Sequence, residues 1–484
     1  MTRLKPSRRE LAAIAAGIGA SLALGRAEAN APSGAVQERR DLYPQGVASG
    51  DPYPDSVVLW TRRPPVGGSS ASGLVVEVAR DDGFRNVVAR GRAAMSADND
   101  WTCRFLAAGL RPSREYFYRF VDEHGFASRV GRTLTAPAQN ADVPVRFAFV
   151  SCQDPTQGGL QAWRKMIFED TRRPEAERLK FVLHLGDFIY EIVWYPEDRA
   201  NGMLGRRRLR DLVRYPTGEK IRDFHVPTTV EDYRTAYRAY LTDPDLQDAR
   251  ARWPFVNVWD NHEFSWQGWQ SLQAFNGPPR PAATRKVAAN QAWFEYQPAR
   301  VRQMDGLRFD RFTPPAVSNA ATFDASTIDD DGIDREPNNL AAINSLLIYR
   351  TLRWGKHAGL TLTDNRSFQA PGRDGSMFGV QGYNYFLPQD ANDAIDIGRA
   401  YRGGHPPQTI RFNNQDVPNP SINLPPTTTL GPTQRAWLIE QLRSARTTWK
   451  IWGHSFGTLQ WRTDLQNLPA GFTPAWPSQS YGLM

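Results

Sequence analysis

Lys180–Glu191 reads KFVLHLGDFIYE, an apolar run of Val, Leu and Phe that stops abruptly at Gly186-Asp187. Such a run reads as a buried strand, and the stop delivers a carboxylate at the strand's C-terminal end, where open α/β sheets keep their ligands. Asp187 and Tyr190 are three residues apart, so a helical turn beginning at Asp187 is predicted to bring carboxylate and phenol onto one face. Taken alone, the same letters also fit a helix N-cap followed by a half-buried core tyrosine.

Four further stretches of the same design weigh toward a site. VRFAFVSCQ ends at Ser151-Cys152-Gln153, WPFVNVWDNHE at Asp260-Asn261-His262-Glu263, GLTLTDNR at Asp364-Asn365-Arg366, and TTWKIWGHSFG at Gly453-His454-Ser455. Each apolar run thus terminates in groups able to bind metal or phosphate. Helical text lies between them at Thr229 to Arg252, with Thr229 as cap, at Arg285 to Tyr296 and at Thr433 to Arg443. Strand, polar tip and helix in alternation predict an α/β domain over 145–484. Polar, Gly/Pro-rich insertions at 192–228, 313–340 and 367–430 are too long for simple connections and are expected to wall the site.

Upstream, 41–137 alternates short apolar runs with Gly, Pro and Asp turns, from GVASGDPYPDSVVLWTR to SRVGRTLTA. That spacing predicts an antiparallel β-sandwich of immunoglobulin or fibronectin type, with Ala136–Pro144 as linker and Asp51 and Asp55 as turn residues. A chain of 484 residues has room for both units. At the N-terminus, Ser7-Arg8-Arg9, an uncharged run from Leu11 to Leu24 and Ala27-Glu28-Ala29 read as a twin-arginine signal peptide over 1–29. The twin-arginine export machinery is therefore an expected partner, and the periplasm or cell exterior the expected location. No later segment reads as a transmembrane helix. The net charge is +8, and the dense basic run is RRRLR at 206–210. Without aromatic interleaving it reads as a solvated loop, not a nucleic-acid-binding module. Cys103 and Cys152 are the disulfide candidates, in segments expected to belong to different domains.

A hydrolytic centre of two or three metal ions needs ligands converging from several strands, with an Asp able to bridge. Asp187 is the candidate bridge, Asn261 an amide ligand, His262 the proton donor to the leaving oxygen, and Arg366 the holder of a phosphoryl oxygen. Cys152 reads either as a structural thiol or as a thiolate ligand, and His184 as a core histidine or a support behind the site. Gly453–Gly457 is also a G-x-S-x-G string after a strand, the position of a serine-hydrolase nucleophile. No histidine follows Ser455 to complete a triad, so this alternative is the weaker one.

HLGDFIYE, WDNHEF and FVSCQ, with GVASGDPYPDSVVLWTR upstream, resemble the PhoD family of alkaline phosphatases and phosphodiesterases within the calcineurin-like metallophosphoesterases. The resemblance covers nearly the whole mature chain. It implies an N-terminal β-sandwich, a catalytic domain of stacked sheets with flanking helices, and a site holding one ferric iron (Fe3+) and calcium (Ca2+). Cys152, Asp187 and Tyr190 match the iron-binding positions, with Asp187 shared with calcium. Asn261 stands at the second acid of the family's W-D-D-H-E motif, and His262 falls on the catalytic histidine. Asp364, expected among the metal ligands, and Arg366 fall on a D-x-R motif. The implied function is an exported, metal-dependent hydrolase of phosphate monoesters, diesters or both. Family members continue to a strand ending in G-D-x-H, and no histidine follows Gln460 here. The sequence expectation is therefore a catalytic domain incomplete at its C-terminus, with an inactive phosphate- or metal-binding relic as the alternative.

Overall fold

Short alternating segments fold as β1 (Val47–Gly50), β2 (Ser56–Arg62), β3 (Gly73–Ala79), β4 (Val87–Ala94), β5 (Thr102–Ala108), β6 (Glu115–Asp122) and β7 (Gly131–Leu134) in this computed structural model. It describes residues 36–275, 277–303, 311–371, 386–412, 415–457, 462–463 and 481–483. The signal peptide expected over 1–29 lies outside the described residues, as do parts of the 367–430 insertion and most of the text after Gln460. β3 pairs with β4 and β6, and β6 with β7, while β2 pairs with β1 and β5, all antiparallel. Leu59, Val76, Val78, Tyr118 and Phe120 fill the space between the two layers.

Beyond the linker, β8 (Phe147–Val150), β9 (Phe181–His184) and β10 (Pro254–Asn257) run parallel to one another. β10 then pairs in parallel with β1, Pro254 opposite Ser49 and Phe255 opposite Gly50. The result is a single six-stranded sheet in the order β8-β9-β10-β1-β2-β5. One layer of the sandwich is thus continuous with the α/β sheet, although 136–144 separates them along the chain. Gly50 permits the junction. A Cβ there would sit 2.2 Å from the Pro298 carbonyl oxygen and 2.5 Å from that of Phe255.

A second sheet is formed by β11 (Arg350–Trp354), β12 (Ala358–Leu362) and β13 (Trp449–Gly453), with β12 and β13 parallel. It stacks on the first, and the rings of Phe181 and Trp354 meet at 5.0 Å between centroids. The five strands expected from the apolar runs are all present. Helices α1 (Gln161–Thr171), α2 (Val230–Tyr240), α3 (Pro244–Arg252), α4 (Ala283–Tyr296), α5 (Pro337–Ile343) and α6 (Gly431–Ser444) flank the sheets. Thr229 caps α2, as its position suggests. The helical text running to Arg252 is broken, however: Asp243 accepts from the amides of Asp245 and Leu246, and Pro244 opens a new helix.

Asp51 has more than a turn's work. Its φ of +45° suits a turn, but its carboxylate is buried and receives Arg350 Nε and Nη2 at 2.7 Å each, plus the Arg300 amide at 2.5 Å. Arg350 also donates to the Asn257 carbonyl at 2.9 Å, tying β1, β10 and β11 together. Asp55 is exposed, as a turn residue would be. Cys103, buried in the sandwich, and Cys152 are both free thiols. Among the described residues no helix is long and apolar enough to cross a membrane.

Candidate functional site

Because β8, β9 and β10 are parallel and in register, Val150 opposite His184 opposite Asn257, their C-terminal ends share one edge. The chain leaves that edge sharply. Gly186 has φ +104°, Asp187 +53° and Cys152 +59°. A Cβ on Gly186 would stand 2.4 Å from the Asp260 amide nitrogen, so the loops after β9 and β10 touch backbone to side. The Cys152 amide donates to the Gly186 carbonyl and the Gln153 amide to that of Asp187, each at 3.1 Å. These bonds bind the β8 loop to the β9 loop.

No helical turn forms at Asp187; its left-handed backbone prevents one. The contact expected of that turn is made all the same within the tight loop. Tyr190 donates its hydroxyl to Asp187 Oδ2 at 3.2 Å, and the Cys152 thiol donates to the same oxygen at 3.4 Å. Asp187 Oδ1 accepts from the His262 amide at 3.3 Å. Carboxylate, phenol and thiol, contributed by the ends of two strands, converge on one point.

Burial dominates the electrostatics of all three. Burial raises the Asp187 carboxyl, and Asp260 adds to the rise against the opposition of His262. Loss of water raises the Cys152 thiol, with Asp187 acting in the same direction. Tyr190 is raised above the ordinary phenol range by burial, then by Asp187 and Cys152. The hydrogen bonds run the other way at two of the three groups, Cys152 favouring the ionised Asp187 and Tyr190 the ionised Cys152, so Tyr190 is the group that both neighbours keep protonated. A positive ion would allow them to ionise together. Among the described residues no three His, Cys, Asp or Glu side chains gather as a metal-holding group. The side chains here that could hold a metal ion are the Cys152 thiol, the Asp187 carboxylate and the Tyr190 phenol, with the Asn261 amide oxygen on Arg366 nearby.

Arg366 brings the tip of β12 to this edge. Its Nε donates to Asp260 Oδ1 at 2.6 Å and its Nη2 to Asn261 Oδ1 at 3.2 Å, with the guanidinium over the Phe456 ring at 4.2 Å. Asp364 stands at the tip of β12, just before Arg366. It is fully buried, and its Oδ1 accepts from Trp259 Nε1 at 2.8 Å, the Arg366 amide at 3.0 Å and the Ser367 amide at 2.9 Å. No hydrogen bond joins it to Cys152, Asp187, Tyr190 or Asn261 among the described residues. The chain reverses directly after β12, and Oδ1 holds the reversal that aims Arg366, while the buried Oδ2 has no hydrogen-bond partner among the described residues.

The profile of the PhoD-like phosphatases matches residues 147–481, and that of the PhoD-like phosphatase N-terminal domain matches residues 27–137. The chain belongs to the PhoD-like phosphatase family. It is similar to alkaline phosphatase D of Bacillus subtilis (strain 168), with 33% identity over 325 residues, 63% of this chain and 50% of that protein. It thus spans half the length of that curated relative. A solved structure of PhoD superposes with a TM-score of 0.56 at 26% identity, over 87% of this chain and 63% of that one.

Two carboxylates of this PhoD-like phosphatase site escape a reading of the sequence. Glu191 lies 2.6 Å from His262 Nδ1 through its Oε2 and accepts the Trp266 amide through its Oε1. Burial disfavours the His262 imidazolium, but Glu191, then Asp187 and Glu263, outweigh it and hold the ring up at about 9. Glu263 accepts from the amides of Asp187 at 3.0 Å, Phe188 at 2.6 Å and Asp260 at 2.7 Å, clamping the β9 and β10 loops together. Burial, then Asp187, pushes Glu263 up to about 8. Both residues stand inside the motifs already quoted, as the last letters of HLGDFIYE and DNHE, and that adjacency is the available signal. His184 is a core histidine whose Nδ1 accepts from the Gly186 amide at 3.3 Å; burial, then Arg250, holds it down at about 3 and hence neutral. Among the described residues Ser455 Oγ and His454 Nδ1 have no hydrogen-bond partner, and no serine-histidine couple forms there at Gly453–Gly457.

Proposed function

We propose that this chain is an exported, metal-dependent phosphoesterase acting on phosphate monoesters, diesters or both. The observation that carries the reading is the meeting of the Cys152 thiol and the Tyr190 hydroxyl on one oxygen of Asp187, beside His262 and Arg366. In this reading Cys152, Asp187 and Tyr190 would hold ferric iron, and Asp187 with Asn261 would serve calcium. When bound, such ions supply positive charge and Lewis acidity to a phosphoryl group.

The chain's own residues supply the remainder. Arg366 keeps its Nε on Asp260 and exchanges its longer Nη contacts, 3.3 Å to Gln369 and 3.2 Å to Asn261, for phosphoryl oxygens. Asp364 and Trp259 hold the turn that aims it. With Nδ1 engaged by Glu191, His262 gives a proton from Nε2 to the ester oxygen as a water oxygen bonds to phosphorus and the P–O ester bond breaks, and the proton released by that water restores the imidazolium. The similarity to alkaline phosphatase D supports the ester class. The twin-arginine text supports a periplasmic or secreted location, and changing Arg8 and Arg9 to Lys is expected to block export, because guanidinium and ammonium are not interchangeable.

The test is hydrolysis of p-nitrophenyl phosphate and bis(p-nitrophenyl) phosphate by the chain from Asn30 onward, with and without a chelator. Loss of turnover on chelation, with Ser455→Ala at the parent rate, is the expected result. Chelator-insensitive hydrolysis abolished by Ser455→Ala would establish serine chemistry instead.

A further inference from the structure

The 192–228 insertion is well neutralised except at one place. Glu197 and Asp211 pair with Arg214, Asp198 with Lys220, Glu219 with Arg280, and Asp223 with Arg199. Every acid of the segment is thereby engaged. Arg206, Arg207 and Arg208 are exposed, and among the described residues no carboxylate stands at ion-pair distance from any of them. Three adjacent guanidiniums repel one another unless an anion from outside joins them.

This basic run is built into a fixed platform. Met203–Leu204 and Arg207–Arg208 form an antiparallel hairpin, turned at Gly205 with φ +59°. Behind it Leu209 is buried and donates its amide to Gly202 at 2.9 Å. Arg210 fastens the hairpin to the loop after β8, its amide on Thr156 at 3.0 Å and its Nη1 on the carbonyls of Pro155 and Gly158 at 3.0 and 3.2 Å. Arg207 reaches Gln157 at 3.4 Å.

That loop begins at the candidate site. Gln157 follows Cys152 by five residues, which bounds their separation at about 18 Å even for extended chain. Asp154 shortens the path, since its carboxylate accepts the Tyr240 hydroxyl at 3.1 Å and that hydroxyl accepts the Tyr190 amide at 3.0 Å. The hairpin is therefore anchored to the loop that leaves Cys152, within a few residues of the candidate site.

We propose that the Arg206–Arg208 hairpin is a subsite for a second anionic group of the substrate, so that phosphate esters bearing a further phosphate are favoured over those bearing one. This rests on the phosphoesterase reading of the candidate site.

The experiment compares the parent with the R206Q/R207Q/R208Q variant, whose changes lie on the surface and leave the candidate site intact. Two readouts are taken: KM for fructose 1,6-bisphosphate against fructose 6-phosphate, and binding of tripolyphosphate against orthophosphate by calorimetry. In the parent the multiply charged member of each pair should be favoured by about five- to tenfold, the preference fading as salt shortens the reach of surface charge. In the variant most of that preference should vanish while kcat on p-nitrophenyl phosphate is unchanged. An undiminished preference in the variant, or none in the parent, would overturn the subsite. A parent that hydrolyses no phosphate ester but shows the arginine-dependent tripolyphosphate preference would uphold the subsite and overturn the phosphoesterase reading.

Discussion

His262 shows how much one residue's role depends on its neighbour. Its Nδ1 is fixed by a fully buried Glu191, whose other oxygen is fixed by the Trp266 amide. If the pair serves proton transfer to the leaving oxygen, its loss should matter most where that oxygen is a poor leaving group. Glu191→Gln is expected to slow alkyl phosphate hydrolysis by about a hundredfold, and p-nitrophenyl phosphate hydrolysis by about tenfold or less, with KM little changed. Equal losses on both substrates would indicate a structural part only. At this scale the sequence is informative about residue types and less so about their neighbours. Cys152, Asp187 and Tyr190 read as convergent and do meet, whereas Glu191 and Glu263 go unread because a carboxylate's partners lie 71 and 76 positions away. Asp364 is legible as a strand-end acid, but not the engagement of its Oδ1 by the Trp259 indole and by the turn that follows.

The element that decides the site's shape is the bend after β9. Gly186 combines a φ of +104° with a backbone contact that leaves no room for a methyl group. Gly186→Ala is therefore expected to destabilise the protein by more than about 2 kcal/mol and to abolish turnover, since the β9 and β10 loops must separate. Gly109 is the control, also at positive φ but with nothing within 4 Å of where a methyl group would stand; Gly109→Ala should cost about 1 kcal/mol and spare activity. Thermal unfolding and p-nitrophenyl phosphate turnover of both variants check this. The strands themselves are legible, because apolar runs closed by polar tips have few other readings. The turn at Asp187 is not, because three-residue spacing is satisfied by a helical turn and by a left-handed bend alike. The break before α3 is written in Asp243-Pro244, a cap and a helix-opening proline.

Across the whole molecule, the shared sheet makes the sandwich and the α/β half one structural body. The pairing of β1 with β10 is not legible, since a strand's own letters specify its faces and not its partner. Asp51 and Arg350 reinforce the junction from the side, both buried. Arg350→Met should cost about 3–5 kcal/mol by stranding a buried carboxylate, and adding Asp51→Asn should recover part of the loss. Calorimetry should also show the two halves unfolding in one transition, with separate transitions counting against a continuous sheet. The central claim, that the strand ends gather a metal which drives ester hydrolysis, is tested most directly by iron titration of the metal-stripped protein alongside Asp187→Asn, Tyr190→Phe and Cys152→Ser. Visible absorption and p-nitrophenyl phosphate turnover are recorded together. The parent should take up iron with a thiolate or phenolate band and regain turnover once calcium is added, Tyr190→Phe and Cys152→Ser should alter that band, and Asp187→Asn should lose both band and turnover. Full turnover by the metal-stripped protein, or parent-level iron binding and turnover in Asp187→Asn, would contradict it.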